Sequence, residues 1–314
     1  MLGDIMVDRF IWGSVSRVSP EAPVPIVRME RESSSLGGAG NAARNIVSLG
    51  GNATLVGLHG DDADGDRLAV LCREAGLSLA GLVRAPGRPT TVKTRIVAHH
   101  QHVVRFDREE DGPADDGSAA TLRDRTLAAL EGAQALIVSD YDKGALSPSL
   151  LQAALPEARR RGIPAVVDPK VRMMPFYRPA TVVTPNVKEA SESAGIKVRT
   201  DADLIAAGRR LLELLECPHL LITRGEKGML LLSIDAEPLE VPTEAREVYD
   251  VSGAGDTVAA TLALALAVGA TVAEGVILAN LAAGVVVGKL GTASLTAEEL
   301  LRAARADQAG SVRA

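Results

Sequence analysis

The hydrophobic and polar positions of this chain fall into blocks of two kinds. Short, largely apolar runs at residues 53–58, 135–138, 165–167, 181–184 and 220–223 have the length and content of buried strands. Longer segments at 64–75, 201–215, 272–287 and 296–306 read as helices. In GGAGNAARNIVSLGG, residues 37–51, the glycines open a helix carrying Asn41, Ala43, Ile46, Val47 and Leu49, and Gly50 and Gly51 stop it. Strands that alternate with helices in this way predict an α/β protein built on a parallel sheet.

The pattern breaks at residues 90–107, TTVKTRIVAHHQHVVRFD, where two strand-like halves flank a polar turn with no helix between them. Pro20, Pro23 and Pro25 keep the chain ahead of them extended, and 24–29 reads as an edge strand. Together these stretches, about 9–35 and 88–108, predict a small β-layer outside the main sheet, with the role of a lid. The whole chain, 1–314, reads as one domain. At the start, Gly3-Asp4 resembles the turn after a strand of which only Met1 and Leu2 remain, so a clipped or late-assigned start is expected.

The chemistry concentrates in DVSGAGDTVAA, residues 250–260. A turn of small residues, Gly253, Ala254 and Gly255, precedes Asp256, and an uncharged run at 257–268 follows it. Amides at a helix start have no intrahelical partner and carry positive potential, and glycine lets a ligand approach them. The same residues would also serve as a plain helix start, with Asp256 as a favourable first-turn charge. The strand ends weigh against that alone. In open parallel sheets ligands bind at the carboxyl ends of the strands. Here those ends carry Asp140, Asp168, Lys170, Asn186, Glu189 and Arg224.

Composition narrows the class further. Hydrophobic residues make up 46% and aromatic residues 2%, so the core is aliphatic. The net charge of −6, with acids and bases interspersed and no basic stripe, argues against a nucleic-acid partner. Cys72 and Cys217 form no CxxC pair and no disulfide framework, which fits a reducing cytoplasm. Asp4 and Asp8 interrupt any signal-peptide pattern, and the uncharged run at 257–272 is shorter than a membrane span of about 20 residues. A cytoplasmic protein without membrane contact is expected. His99, His100 and His102 cluster near the polar turn, but with no cysteine or fourth ligand nearby no zinc site is expected.

Two of these motifs carry a resemblance. DVSGAGDTVAA is similar to the C-terminal signature of the ribokinase-like (PfkB) carbohydrate kinases, and GGAGNAARNIVSLGG to their N-terminal glycine motif. GDIMVDRFIWG, SRVSPEAPVPIV, VVRFDREE, SDYDKGAL, TPNVKEA, TRGEKGM, EVYDVSGAGDT and AGVVVGKLGT narrow it to the family's heptose 7-phosphate kinases, over residues 3 to about 300. The resemblance implies a three-layer α/β/α sandwich with a mostly parallel sheet and a β-sheet lid. It also implies ATP- and Mg²⁺-dependent phosphorylation of D-glycero-β-D-manno-heptose 7-phosphate at the anomeric hydroxyl, a step toward ADP-heptose and the lipopolysaccharide core.

The roles it implies can be named one by one. Asp256 matches the catalytic base, and Gly253, Ala254 and Gly255 the anion hole. Asn186 and Glu189, with Val187 and Lys188 between them, match the motif that places Mg²⁺ and the phosphates through water. Thr223, Gly225, Gly228 and Asn280 match the nucleotide site, and Asp8, Gly38 and Asn41 the sugar site. Lys93, Arg95, Arg105 and Lys170 are candidate cations for the sugar's own phosphate, with Arg105 the first choice. The exposed β-layer suits a homodimer. With no His-x-Gly-His segment in this sequence, adenylyl transfer is expected to fall to a separate protein. Two readings compete with this one: a kinase for another sugar, and a sugar-binding protein without catalysis. A dinucleotide-dependent dehydrogenase is disfavoured, since no GxGxxG follows a first strand.

Overall fold

The computed structural model describes residues 1–98, 101–243, 248–289 and 291–311, the last five as backbone. The chain opens in β1 (Leu2–Gly3) and, after Asp4, enters two long strands, β2 (Ile5–Val18) and β3 (Pro25–Gly38). There follow α1 (Ala39–Ser48), β4 (Gly57–Gly60), α2 (Ala63–Glu74), β5 (Leu82–Ala85), β6 (Val92–Ala98) and β7 (Gln101–Arg108). Regular alternation then runs through α3 (Asp116–Ala129), β8 (Leu136–Ser139), α4 (Pro148–Arg160), β9 (Ala165–Asp168), β10 (Val182–Val183), α5 (Val187–Ala194), α6 (Asp201–Leu215) and β11 (His219–Thr223). The last elements are β12 (Met229–Ser233), β13 (Ala236–Val241), α7 (Ala254–Ala267), α8 (Val272–Val287) and α9 (Ala297–Ser311). The polar residues before the helices set their starts: side chains of Asp62, Asp115, Ser147, Asn186, Thr200 and Thr271 each accept an amide of the first turn.

Among the described residues seven strands form the central sheet, in the order β1-β8-β9-β10-β11-β12-β13. Pairing is parallel from β1 to β11 and antiparallel at β11–β12 and β12–β13. Side chains alternate between its faces. Val138, Val167, Val183, Leu220 and Ile222 pack on one side with residues of α4 and α6. Ile137, Val166, Val182, Leu221 and Leu231 pack on the other with residues of α7 and α8. Strands buried on both faces read as continuous apolar runs, which is why they stand out in the sequence. No helix among the described residues is long and apolar enough to cross a membrane.

β1 holds an interior place despite its two residues: it pairs with β8, and a parallel bridge from Leu2 to Val56 leads toward β4 and β5. Beside it lies a cavity of about 710 Å³ lined by Met1, Ile46, Ala135, Ile137, Leu264 and Val268 among others.

The second sheet has the order β3-β2-β6-β7. The register of β6 on β2 and β7 puts Asp8, Phe10, Lys93, Arg95, Arg105 and Asp107 on one face. Ion pairs tie this sheet to the body, Arg9 to Asp64, Arg108 to Asp62 and Asp64, and Lys143 to Glu109 and Asp111. β2 has no counterpart among the strands expected from the sequence, and β3 runs well past 29. Beyond Ile11 their polar, half-exposed residues do not alternate as a one-sided strand would. The β12–β13 hairpin and helices α3, α4 and α5 are likewise additions.

Asp4, 2% exposed, sits where β1 gives way to β2. Its carboxylate accepts from the amides of Tyr141 (2.8 Å), Lys143 (3.1 Å) and Ala145 (3.0 Å), fixing the loop after β8. Asp4→Ala leaves those donors without an acceptor and should lower stability by about 2–4 kcal/mol. Asp4→Asn, which keeps one carbonyl oxygen, should cost less, and urea unfolding midpoints of both variants check the order.

Candidate active site

Helix α7 starts at Gly253, whose φ of 80° is the left-handed conformation that glycine tolerates best. A Cβ there would also stand 2.6 Å from Asn41 Nδ2. The Ala254 amide turns back to the Val251 carbonyl at 3.2 Å. The amides of Gly255 and Asp256 have no bonded partner among the described residues, which leaves two donors at the positive end of the helix.

Asp256, 2% exposed, is held at both oxygens. Asn41 Nδ2 donates to Oδ2 at 2.8 Å and the Tyr141 hydroxyl to Oδ1 at 2.9 Å. Asn41 is itself oriented, because Arg44 donates to its Oδ1 at 2.9 Å and also to the Thr292 carbonyl. Burial pushes the Asp256 carboxyl up to about 7; the two hydrogen bonds oppose that rise, nearby Asp8 adds to it, and Arg44 opposes it. A buried carboxylate that titrates near neutrality can take a proton from a bound hydroxyl.

On one side of Asp256 opens a cavity of about 810 Å³ at the carboxyl ends of β9, β10 and β11. It is lined by Lys170, Asn186, Glu189, Thr223, Gly225, Gly228, Ala254, Gly255 and Asn280, so nearly all the residues expected at the nucleotide converge there. Asn186 and Glu189 form the capping box of α5: Asn186 Oδ1 accepts from the Glu189 amide and Glu189 Oε2 from the Asn186 amide. The other Glu189 oxygen pairs with Lys170. Asn280 donates to the Pro242 carbonyl at 2.7 Å, so its amide also pins α8 beside β13. Val187 packs against the core and the Lys188 side chain is 81% exposed; neither lines the cavity.

On the other side lie the residues expected at the sugar. Asp8 is buried against Gly37 and paired with Arg95. Gly38, at φ 56°, brings the α1 turn within reach of Tyr141, whose ring carbon would sit 3.4 Å from a Cβ there. Lys170 lines the cavity and pairs with Glu189, its ammonium 5.7 Å from the centre of the Tyr141 ring. Arg105 projects from β7 with a 53% exposed side chain paired with Asp107, on the face it shares with Asp8.

Other strand-end residues take structural roles. Asp140 accepts from the Tyr177 hydroxyl and the Asp142 amide, and Arg224, 6% exposed, pairs with Glu240. Asp168 lines the cavity, and burial together with the Asp256 charge raises its carboxyl to about 8. His99 and His100 lie outside the described residues; His102, on β7, pairs across to Val97 of β6. Sequence reasoning missed Tyr141 and Arg44. Tyr141 stands next to a strand end, and Arg44 follows Asn41 by one helical turn, so position alone marked both.

The family of pfkB carbohydrate kinases matches residues 2–299. The protein named bifunctional protein HldE is 46% identical over 300 residues in Paramagnetospirillum magneticum, covering 96% of this chain and 62% of that protein. Its namesake in Caulobacter vibrioides is 47% identical over 312 residues, covering 98% and 63%. The chain thus spans a little under two thirds of these relatives. Among solved structures, Arabidopsis thaliana ribokinase with ribose and ATP superposes with a TM-score of 0.75 at 19% identity, covering 96% of each chain. Escherichia coli phosphofructokinase-2 with potassium does so with 0.78 at 19%, covering 96% and 97%. At such identities these two speak for the fold.

The raised carboxyls have a consequence for stability. A buried acid whose folded-state pKa exceeds its unfolded value favours folding while protonated, and that advantage fades as pH rises from about 4 toward the folded pKa. For Asp168 the loss runs up to about pH 8. Asp168→Asn, neutral at every pH, should therefore raise Tm at pH 8.5 and change it little at pH 5, as scanning calorimetry at the two pH values would show.

Proposed function

The chain belongs to the pfkB family of carbohydrate kinases and is a sugar kinase, and on that premise we propose that its acceptor is D-glycero-β-D-manno-heptose 7-phosphate. The γ-phosphoryl group of ATP goes to the anomeric C1 hydroxyl, giving the 1,7-bisphosphate on the way to ADP-heptose for the lipopolysaccharide core. The observation that carries the phosphoryl-transfer reading is the buried Asp256 carboxylate beside the Gly255 and Asp256 amides, which have no partner among the described residues, at the edge of the cavity. The choice of heptose is supported by the motifs SPEAPVP and GVVVGKLGT and by the identity to the HldE proteins.

In this reading ATP occupies the 810 Å³ cavity with its phosphates toward α7. Asp256, ionised, accepts the hydroxyl proton as the oxygen attacks; the two amides hold the transferring group, and Lys170 lies close enough to share its charge. The donor set fits Mg²⁺ held through water. Glu189 and Asn186 already bond one another and Glu189 also pairs with Lys170, and among the described residues no three acidic, His or Cys side chains converge on one point. When bound there, Mg²⁺ would neutralise phosphate charge. Asp8, Gly38 and Asn41 bind sugar hydroxyls, and Arg105 is the candidate for the distal phosphate. The exposed Val104 and Phe106 of β7 support a homodimer through the small sheet, which would close over the sugar as a lid.

Asp256→Asn should lower kcat by roughly 10²–10⁴ with nucleotide binding retained, by ADP release and calorimetric titration; surviving turnover would sink the base assignment. The same assay on a panel of heptose 7-phosphate, ribose and a fructose phosphate should give the highest kcat/KM for the heptose. In wild type, kcat/KM should rise with pH through an acid limb near the Asp256 value of about 7, because only the ionised carboxylate accepts the proton.

A further inference from the structure

We propose that Tyr141 is a positioning residue for the reaction: its hydroxyl, donating to Asp256 Oδ1, orients the base and favours its ionised form. The inference rests on Asp256 being the base, as read above. The hydrogen bond is 2.9 Å long and joins the loop after β8 to the first turn of α7. Among the described residues that hydroxyl makes no other hydrogen bond. The Tyr141 backbone is fixed by its amide on Asp4, and the ring lies between the Gly38 turn and the Lys170 ammonium.

Tyr141 acts here as a donor and not as an acid. Burial and the adjacent Asp256 charge hold its phenol well above the usual tyrosine range, so it stays protonated throughout the working pH. A donor to a carboxylate stabilises the charged form, so losing it raises the carboxyl pKa. The other groups facing Asp256 divide between the two directions. Asn41 and Arg44 of α1 favour the ionised form, Asp8 of β2 opposes it, and Asp168 at the end of β9 feels the Asp256 charge in turn. Lys170 faces the Tyr141 ring. Asn41 holds one oxygen and Tyr141 the other. Removing the hydroxyl therefore frees the carboxylate to rotate and leaves burial less opposed.

The test is a carbon-13 titration of the Asp256 carboxyl in the ligand-free protein, the signal assigned by its loss in Asp256→Asn. In Tyr141→Phe the carboxyl should titrate about one pH unit higher. The acid limb of kcat/KM, read as ADP release with D-glycero-β-D-manno-heptose 7-phosphate and MgATP, should move up with it while the KM for ATP is unchanged. Fluorotyrosine in place of Tyr141, a stronger donor, should shift the carboxyl titration downward. An unmoved carboxyl in a folded Tyr141→Phe protein overturns the proposal. If that variant does not fold, absence of the downward shift with fluorotyrosine overturns it. Failure of the base assignment reads out separately, as turnover surviving in Asp256→Asn.

Discussion

Everything at this site depends on keeping a carboxylate that is 2% exposed in one orientation at the start of a helix. Burial disfavours its charge, and two hydrogen bonds, from Asn41 and Tyr141, oppose that penalty. The donors come from elements far apart in sequence, so the fold has to deliver them with little tolerance. Alanines and glycine make that possible. Ala39, Ala42 and Ala43 of α1 are fully buried, and at Gly253 any side chain would strike Asn41. Asp4 anchors the loop that carries Tyr141. The low aromatic content thus has a local meaning here: close approach of backbones leaves no room for large side chains.

Much of this was legible in the sequence because it follows from strong local rules. Strands β8, β9, β10 and β11 are buried on both faces, so their apolar runs are unbroken, and the cavity-lining residues follow them directly. The glycine turn before α7 and the Asn186–Glu189 cap are equally local. β2 and β3 were harder to see. Much of their outer length is half-exposed, and Ser33, Ser34 and Ser35 carry no period. The roles of Asp140 and Arg224 also escaped, since a charged residue at a strand end can turn toward the ligand or toward a structural partner such as Tyr177 or Glu240. Spacing does not distinguish the two; only the third dimension does.

The Asn186–Glu189 pair shows how one motif can combine a structural purpose with the cation-holding one proposed above. As a capping box it satisfies two amides at the start of α5, which alone justifies the residues. Each side-chain oxygen engaged in the box retains a second lone pair, and both residues line the cavity. A cap of this kind is rigid before any ligand arrives, so the waters of a hydrated cation held on it would meet acceptor oxygens already in place. Structural and functional readings of the motif are therefore complementary.

The cations of the small sheet raise the opposite case. Arg95 is paired with Asp8, Arg105 with Asp107, and Lys93 with both Asp107 and Glu109. None stands ready as an isolated positive charge. A distal phosphate arriving on this face would have to compete with carboxylates for guanidinium groups, replacing one anion by another of higher charge and more acceptor oxygens. The half-exposed Arg105 loses least in such an exchange, whereas separating Arg95 from buried Asp8 would strand a carboxylate out of water. On the proposed function, selection among sugar phosphates on this sheet would be a matter of which ion pairs can be exchanged, and that quantity depends on burial, which no single stretch of sequence reveals.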